Sequence, residues 1–344
     1  MARRLSGVRF IVAALLCTVL AVLPAQIGRA AMSAGHAHAG MTTVRMAFST
    51  WTGYGPLVVA VQKGIFKKYG LNVTYTVVED PTDRFAAFKA GRLDAIATTV
   101  DTFARQAARG APVVQVFGID RSVGGDGIVA RKNITSVKQL KGKTVAVNVG
   151  STSEFFLAYV LQQNGMSIND IHIQDMPNSG TAGSTFVAGR ADVAVTWEPW
   201  LDRAERVPFG HVLVSSKEYP NIIVDVFGFR TDFLDAHRSI IPSFIKAYYE
   251  AVDQVNAGDP SALKIVGKYT GEPVSGPPPS VKYDLTTVKL MNLAQSKAYF
   301  GTAARHGPIY AIARQSAAFW LSIKKIDKMP NINAIVDPSF LQRM

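Results

Sequence analysis

The sequence predicts an α/β protein made of two similar units. Its 344 residues suffice for two domains of ordinary size. At 48% hydrophobic and 18% charged residues it can bury a large core, and neither a collagenous nor a disordered composition fits. Short β-branched runs alternate with helical stretches in the order β-α-β-α-β-α-β, which indicates a parallel α/β domain, and a second such unit follows.

The N-terminus reads as a processing segment. Arg3, Arg4 and Arg9 precede an uncharged apolar run from Phe10 to Pro24, and small residues follow at Gly28, Ala30, Ala31 and Ala34. The run is too short for a membrane anchor, so residues 1–30 are expected to be a secretory signal peptide cleaved somewhere within 30–39. His36 and His38 lie in its Gly/Ala-rich remnant. Removing residues 1–30 takes away four arginines and no acid, so the formal charge falls from +12 to +8. The remaining charge is dispersed, without the like-charge blocks of a nucleic-acid binder. The single cysteine, Cys17, falls within the signal after Leu16, not after the small residue of a lipoprotein signal. The mature chain is therefore expected to be cysteine-free, without disulfides or thiolate metal sites. No later segment approaches eighteen uninterrupted apolar residues, which implies a soluble protein outside the cytoplasmic membrane.

In chain order, residues 44–48 read as the first strand, followed by a polar loop carrying Trp51 and Tyr54, and Pro56 starts a helix to about Lys63. A helical turn at 65–69, a strand at 72–78 and a helix at 83–90 follow. Residues 94–98 form the third strand. Asp101 or Thr102 suits the cap of the next helix, which runs to Arg109, and residues 113–119 form the fourth strand. A glycine-rich turn at 120–127 leads into an extended segment at 128–130, read as a crossing strand. The second unit has a short helix at 136–140, a strand at 144–147, a long helix at 154–163 and a strand at 171–174. A helix to Ala188 and a strand at 191–196 close it. Residues 211–215 and 222–230 are extended and run back to the first unit. Helices are expected at 239–256, 285–299 and 309–323.

Chemistry concentrates in the loops. Val193 to Trp200 opens as a buried strand and breaks at Pro199, placing two indoles and Glu198 within four residues. Strand ends that turn into helix starts are where open α/β sheets bind ligands. Trp197 with a flanking carboxylate suits a small polar or cationic ligand against an aromatic wall, although packing also accounts for an indole. Ser/Thr/Gly loops precede helices at 50–56, 99–102, 150–153 and 179–181. Singly each is an ordinary cap. Together, Thr99, Ser151 and Thr152 with the helix N-termini could bind an anion without an arginine. The loops also carry Asp101, Asp126, Glu154, Glu198 and Asp225. Asp101 and Asp126 equally suit turn caps, and Glu154 a purely electrostatic role. Asp225, inside an apolar strand, needs a partner when buried, and a ligand nitrogen, a backbone group or an arginine would serve. No nucleophile elbow, zinc motif, P-loop or dinucleotide fingerprint is present. His172, His211, His237 and His306 lie outside the candidate loops, so a general base or metal site has little to be built from, and neither catalysis, a metal nor a cofactor is expected.

At these residues the chain resembles the periplasmic solute-binding proteins of ABC importers for sulfonates, taurine, nitrate and thiamine precursors. The likeness spans residues 43–344. It rests on Pro56 to Phe66, Gly91-Arg92-Leu93-Asp94-Ala95, Leu140 to Val147, Gly150 to Ser153, and Gly189 to Pro199. The resemblance implies a two-lobed type II periplasmic-binding-protein fold, each lobe a mixed sheet flanked by helices, joined by two crossing segments and closing like a hinge. Lobe I would comprise 43–128 and 216–344, and lobe II 129–215. It also implies a monomeric periplasmic receptor that delivers its solute to an ABC permease and ATPase. The nearest likeness is to taurine binders, whose amine-binding aspartate falls here at Asp225. Trp51, Tyr54 and Glu154 depart from that pattern and favour a larger amine-bearing ligand. Nitrate, urea and thiamine-pyrimidine binders are the alternatives, and thiamine-pyrimidine synthases are the enzymatic rival.

Overall fold

The computed structural model describes residues 41–344, so the expected signal peptide and leader lie outside the described residues. Among the described residues there are eleven strands: β1 (Thr42–Phe48), β2 (Leu71–Val77), β3 (Ala95–Thr99), β4 (Val113–Ser122), β5 (Asp126–Arg131), β6 (Thr144–Val147), β7 (His172–Asp175), β8 (Val193–Trp197), β9 (Gly210–Ser215), β10 (Val224–Arg230) and β11 (Val288–Leu290). They form two sheets, β11-β4-β10-β3-β1-β2 and β7-β6-β8-β5-β9.

Both sheets are mixed. In the first, β1, β2 and β3 run parallel, while β10 enters antiparallel between β3 and β4. The four opening strands therefore do not make the wholly parallel domain that their alternation with helices predicts. Strand β10 reads Val-Asp-Val-Phe-Gly-Phe and is buried on both faces, as a central strand must be. The second sheet joins β6 parallel to β7 and β8, with β5 antiparallel between β8 and β9. The chain passes between the sheets at residues 123–125 and 216–223. Residues 126–128, assigned above to lobe I, thus belong to β5 of the second sheet, and β9 stays in that sheet. Ser122 and Ser216 tie the two crossings together, their hydroxyl oxygens 2.8 Å apart.

One expected helix divides. Residues 285–299 give the end of the helix Val281–Thr287, strand β11 on the edge beside β4, and the helix Leu293–Phe300. In β11 exposed Lys289 stands between buried Val288 and Leu290, a period of two. Asn292 then starts the new helix through a reciprocal cap with Gln295.

The first lobe's core centres on stacked Phe117 and Phe227, with Phe244 and Tyr248 from the helix Ile241–Asn256 against them. The helix Pro308–Ser322 reaches across to the second core. Its fully buried Trp320 packs on Phe155 and donates through Nε1 to the Asp101 carbonyl at 3.1 Å.

Candidate functional site

The parallel strands β1, β3, β6 and β8 aim their carboxyl ends at one cavity between the lobes, as expected for open α/β sheets. The walls leave a cavity of about 30 Å3. From the first lobe come Ser49, Trp51 and Tyr54 after β1, Thr98 and Thr99 at the end of β3, and Asp225 at the start of β10. The second lobe supplies Asp126 at the start of β5, Ser151 and Thr152 after β6, and Trp197 at the end of β8.

The lobes meet around it. Trp197 Nε1 donates to the Thr50 carbonyl at 3.0 Å, and the Thr99 and Thr152 hydroxyls lie 2.8 Å apart. Arg105 Nη1 donates to the Gly150 carbonyl at 3.0 Å, and Asn148 Nδ2 to Asp80 at 3.3 Å.

Two hydrogen bonds hold Trp51, one of them through a tyrosine that is itself fixed. Its backbone N–H donates to the Tyr269 hydroxyl at 3.2 Å, its indole N–H donates to Asp120 at 3.1 Å, and Tyr269 itself donates to the Ser49 carbonyl at 2.6 Å. Glycines make the room: a Cβ on Gly53 would lie 1.9 Å from Asp120 Oδ2, and one on Gly125 would lie 2.7 Å from the indole. Tyr54 donates its hydroxyl to Asp225.

Asp126 and Asp225 are 4% and 2% exposed and form no ion pair with the described cations. Burial pushes Asp126 up to about 8 and Asp225 up to about 7. Each titrates near neutrality because ionising a carboxyl without water or a close cation is unfavourable. A bound cation would reverse that, which makes them ready acceptors for a ligand nitrogen.

Eight of the eleven residues singled out in the sequence line the cavity: Trp51, Tyr54, Thr99, Asp126, Ser151, Thr152, Trp197 and Asp225. Three do not. Glu154 accepts from the Gly150 N–H at 2.7 Å and pairs with Lys325 at 2.6 Å, an electrostatic role at a helix start. Glu198 accepts from the Asp202 N–H at 3.1 Å and borders a separate depression with Tyr283 and Lys217. Asp101 lies in the first turn of the helix Val100–Ala108, below the cavity wall, and burial pushes it up to about 6. Neither Asp101 nor Thr102 caps that helix, since Thr99 occupies the cap position and its hydroxyl bonds Thr102 and Thr152 instead. The loop at 179–181 is capped by Asn178 and lies outside the cavity.

Sequence reasoning missed Arg84, the cation that lines the cavity. Its Nη1 donates to the Val78 carbonyl at 2.8 Å, while its buried Nε has no partner. A signal existed. Pro81, Arg84, Phe85 and Phe88 share one helical face and are all buried, so Arg84 stands where an apolar residue belongs. An anionic group in this cavity therefore has a guanidinium available, contrary to the expectation of binding by hydroxyls and helix ends alone.

A family model described as NMT1/THI5 like matches residues 51–261. A Brucella abortus protein named as a binding protein is 25% identical over 214 residues, 61% of this chain, and the chain spans 66% of that relative's length. The taurine-binding periplasmic protein of Escherichia coli is 24% identical over 179 residues, 49% of this chain and 55% of that protein. The crystal structure of the periplasmic aliphatic sulphonate binding protein SsuA from Escherichia coli superposes with a TM-score of 0.70 at 18% identity, covering 88% of this chain and 99% of that one. The fold is thus that of the periplasmic binding proteins. It also carries an enzyme: the desulfurization enzyme DSZB superposes with a TM-score of 0.62 at 12% identity, covering 88% of this chain and 98% of that one.

Proposed function

The chain belongs to the NMT1/THI5-like family, and on that premise we propose that it is the extracytoplasmic receptor of an ABC importer for a small, nitrogen-bearing polar solute. One observation carries the reading: two buried carboxyls, Asp126 and Asp225, face an aromatic-walled cavity between two lobes without a cation paired to either. A ligand ammonium or amidinium supplies the missing charge, and the aromatic residues Trp51, Tyr54 and Trp197 in the lining suit a cation further. Arg84, with Ser151, Thr152 and Thr99, suits an acidic group at the other end of the same molecule. Amino-sulfonates such as taurine, or amino acids of similar size, combine both features. Bare nitrate would meet two carboxyls and one guanidinium, which disfavours it, while urea and thiamine-type pyrimidines remain rivals because they too present nitrogen. Closure would present both lobes to a membrane permease.

The test is thermal unfolding of the protein lacking residues 1–40 against taurine, other amino-sulfonates, amino acids, urea, nitrate and aminopyrimidines. A ligand at one hundred times its Kd adds about 2.7 kcal/mol of stability, a shift of several degrees. An amine-bearing compound should give that shift; nitrate alone doing so, or nothing at millimolar concentration, would contradict the proposal. Carboxyls that titrate near neutrality would also suit an enzyme. Chemical conversion of a bound panel member, in place of its recovery unchanged, would favour that second reading.

A further inference from the structure

Asp120 does not line the cavity, yet it stands behind Asp225, directly opposite it in the register of antiparallel strands β4 and β10. Opposed residues of such a pair project to the same face with Cβ atoms about 5 Å apart. Both side chains are buried, and their opposed register sets the two carboxyl groups side by side on that face. Two carboxylates are both acceptors, so a hydrogen bond between them requires a proton on one.

The partners decide which one. Asp225 accepts from the Tyr54 hydroxyl. Asp120 Oδ2 accepts from Trp51 Nε1, while Oδ1 is buried and receives no donor. An Oδ1 that carries a proton and donates it to Asp225 needs no donor of its own. We propose that Asp120 carries the single proton of an acid pair with Asp225, and that it is thereby a positioning residue which limits the pair to one negative charge and fixes the Trp51 indole. This rests on the reading of the cavity as a ligand site and narrows it: the pair is a monoanion matched to one ligand nitrogen of charge +1.

The surrounding charges agree. Arg84 from the helix Pro81–Lys89, Tyr54 after β1, Asp101 from the helix Val100–Ala108, Asp126 from β5 and Tyr248 from the helix Ile241–Asn256 are the charged and titratable groups around the pair, and Tyr249 packs on Tyr248. Arg84 alone among these is cationic, and it makes no ion pair with Asp120 or Asp225, so a second full charge on the pair has no counterion. Burial and the neighbouring Asp225 charge push Asp120 well above the usual carboxylate range.

Asparagine at 120 imitates the protonated acid, since its oxygen can accept from Trp51 and its amide can donate to Asp225. Leucine can do neither. Infrared difference spectra of ligand-free wild type and Asp120→Asn at pH 7 should contain a protonated-carboxyl band that the substitution removes; no such band in the wild type would overturn the proposal. With taurine as probe, Asp120→Asn should bind within about threefold of wild type and Asp120→Leu at least tenfold more weakly. A tenfold loss in Asp120→Asn would show that Asp120 acts as a second negative charge, contrary to the proposal. Should taurine bind none of them, the infrared comparison still decides where the proton lies, and only the reading of the cavity as a taurine-like site fails.

Discussion

Asp225 lines the cavity and is buried. Its carboxyl accepts from Tyr54, neighbours Asp120 across the strand pair and has no ion-pair partner. Replacement with asparagine keeps the shape and removes the charge that a ligand cation needs. Asp225→Asn should therefore weaken binding of an amine ligand by about 10²- to 10³-fold, in the range of losing a charged partner. Calorimetric titration checks this, and an affinity unchanged in the variant would contradict it. Proton linkage gives a second prediction. Asp225 titrates at about 7 and Asp126 at about 8, and a cation binds their ionised forms. Affinity should rise from pH 6 to pH 8, by up to about tenfold per pH unit for each proton displaced, and then level. Titration over that range with a fixed ligand reads the slope; a pH-independent affinity would show that the carboxyls do not meet a charge.

At the level of elements, the helix Pro308–Ser322 contributes side chains to two hydrophobic cores. It lies on the helix Val100–Ala108 of the first lobe and buries Trp320 beside Phe155 and below the Arg105 guanidinium of the lobe boundary. Trp320→Ala leaves a large void and should cost about 3–5 kcal/mol. Urea unfolding measures it, and a loss below 1 kcal/mol would show that the helix end is not part of the core. Much of this architecture was legible in the chain. The runs at 72–78, 144–147 and 191–196 and the glycine and proline stops between them lie within a residue or two of the observed elements. The pairing of β10 between β3 and β4 was not legible, because periodicity reports burial and not which strands meet. The burial of Glu154 and Glu198 away from the ligand cavity was equally hidden. Both are loop acids by sequence, and only the fold shows their partners, Lys325 with the Gly150 N–H and the Asp202 N–H. Arg84 was legible as a lone charge on an apolar helical face, whereas Asp120 read as the first residue of a glycine-rich turn and not as part of strand β4.

For the whole molecule, the buried acids set how stability follows pH. Asp101, Asp126 and Asp225 are held at about 6, 8 and 7 in the folded protein, against about 3.9 for an unfolded aspartate. Between roughly pH 4 and pH 8 the folded state therefore binds more protons than the unfolded one. The stability these groups contribute is complete below pH 4 and is lost as pH rises through 8. Surface acids such as Asp259, held at about 2 chiefly by its hydrogen bond from Ser261, act in the opposite sense and below pH 4. The melting temperature of the ligand-free protein should fall between pH 5 and pH 8, and Asp126→Asn should flatten that fall; a curve rising over the range would contradict the assignment. Ligand binding should also hold the lobes together through the contacts of Trp197 with Thr50 and Arg105 with Gly150. The most direct test of the central claim is native mass spectrometry of gently purified wild type and Asp225→Asn. The account predicts a small nitrogen-bearing adduct on the wild type, recruited from the medium or from added taurine-like amines, that is absent from Asp225→Asn. An adduct retained equally by both, or one without nitrogen, would contradict it.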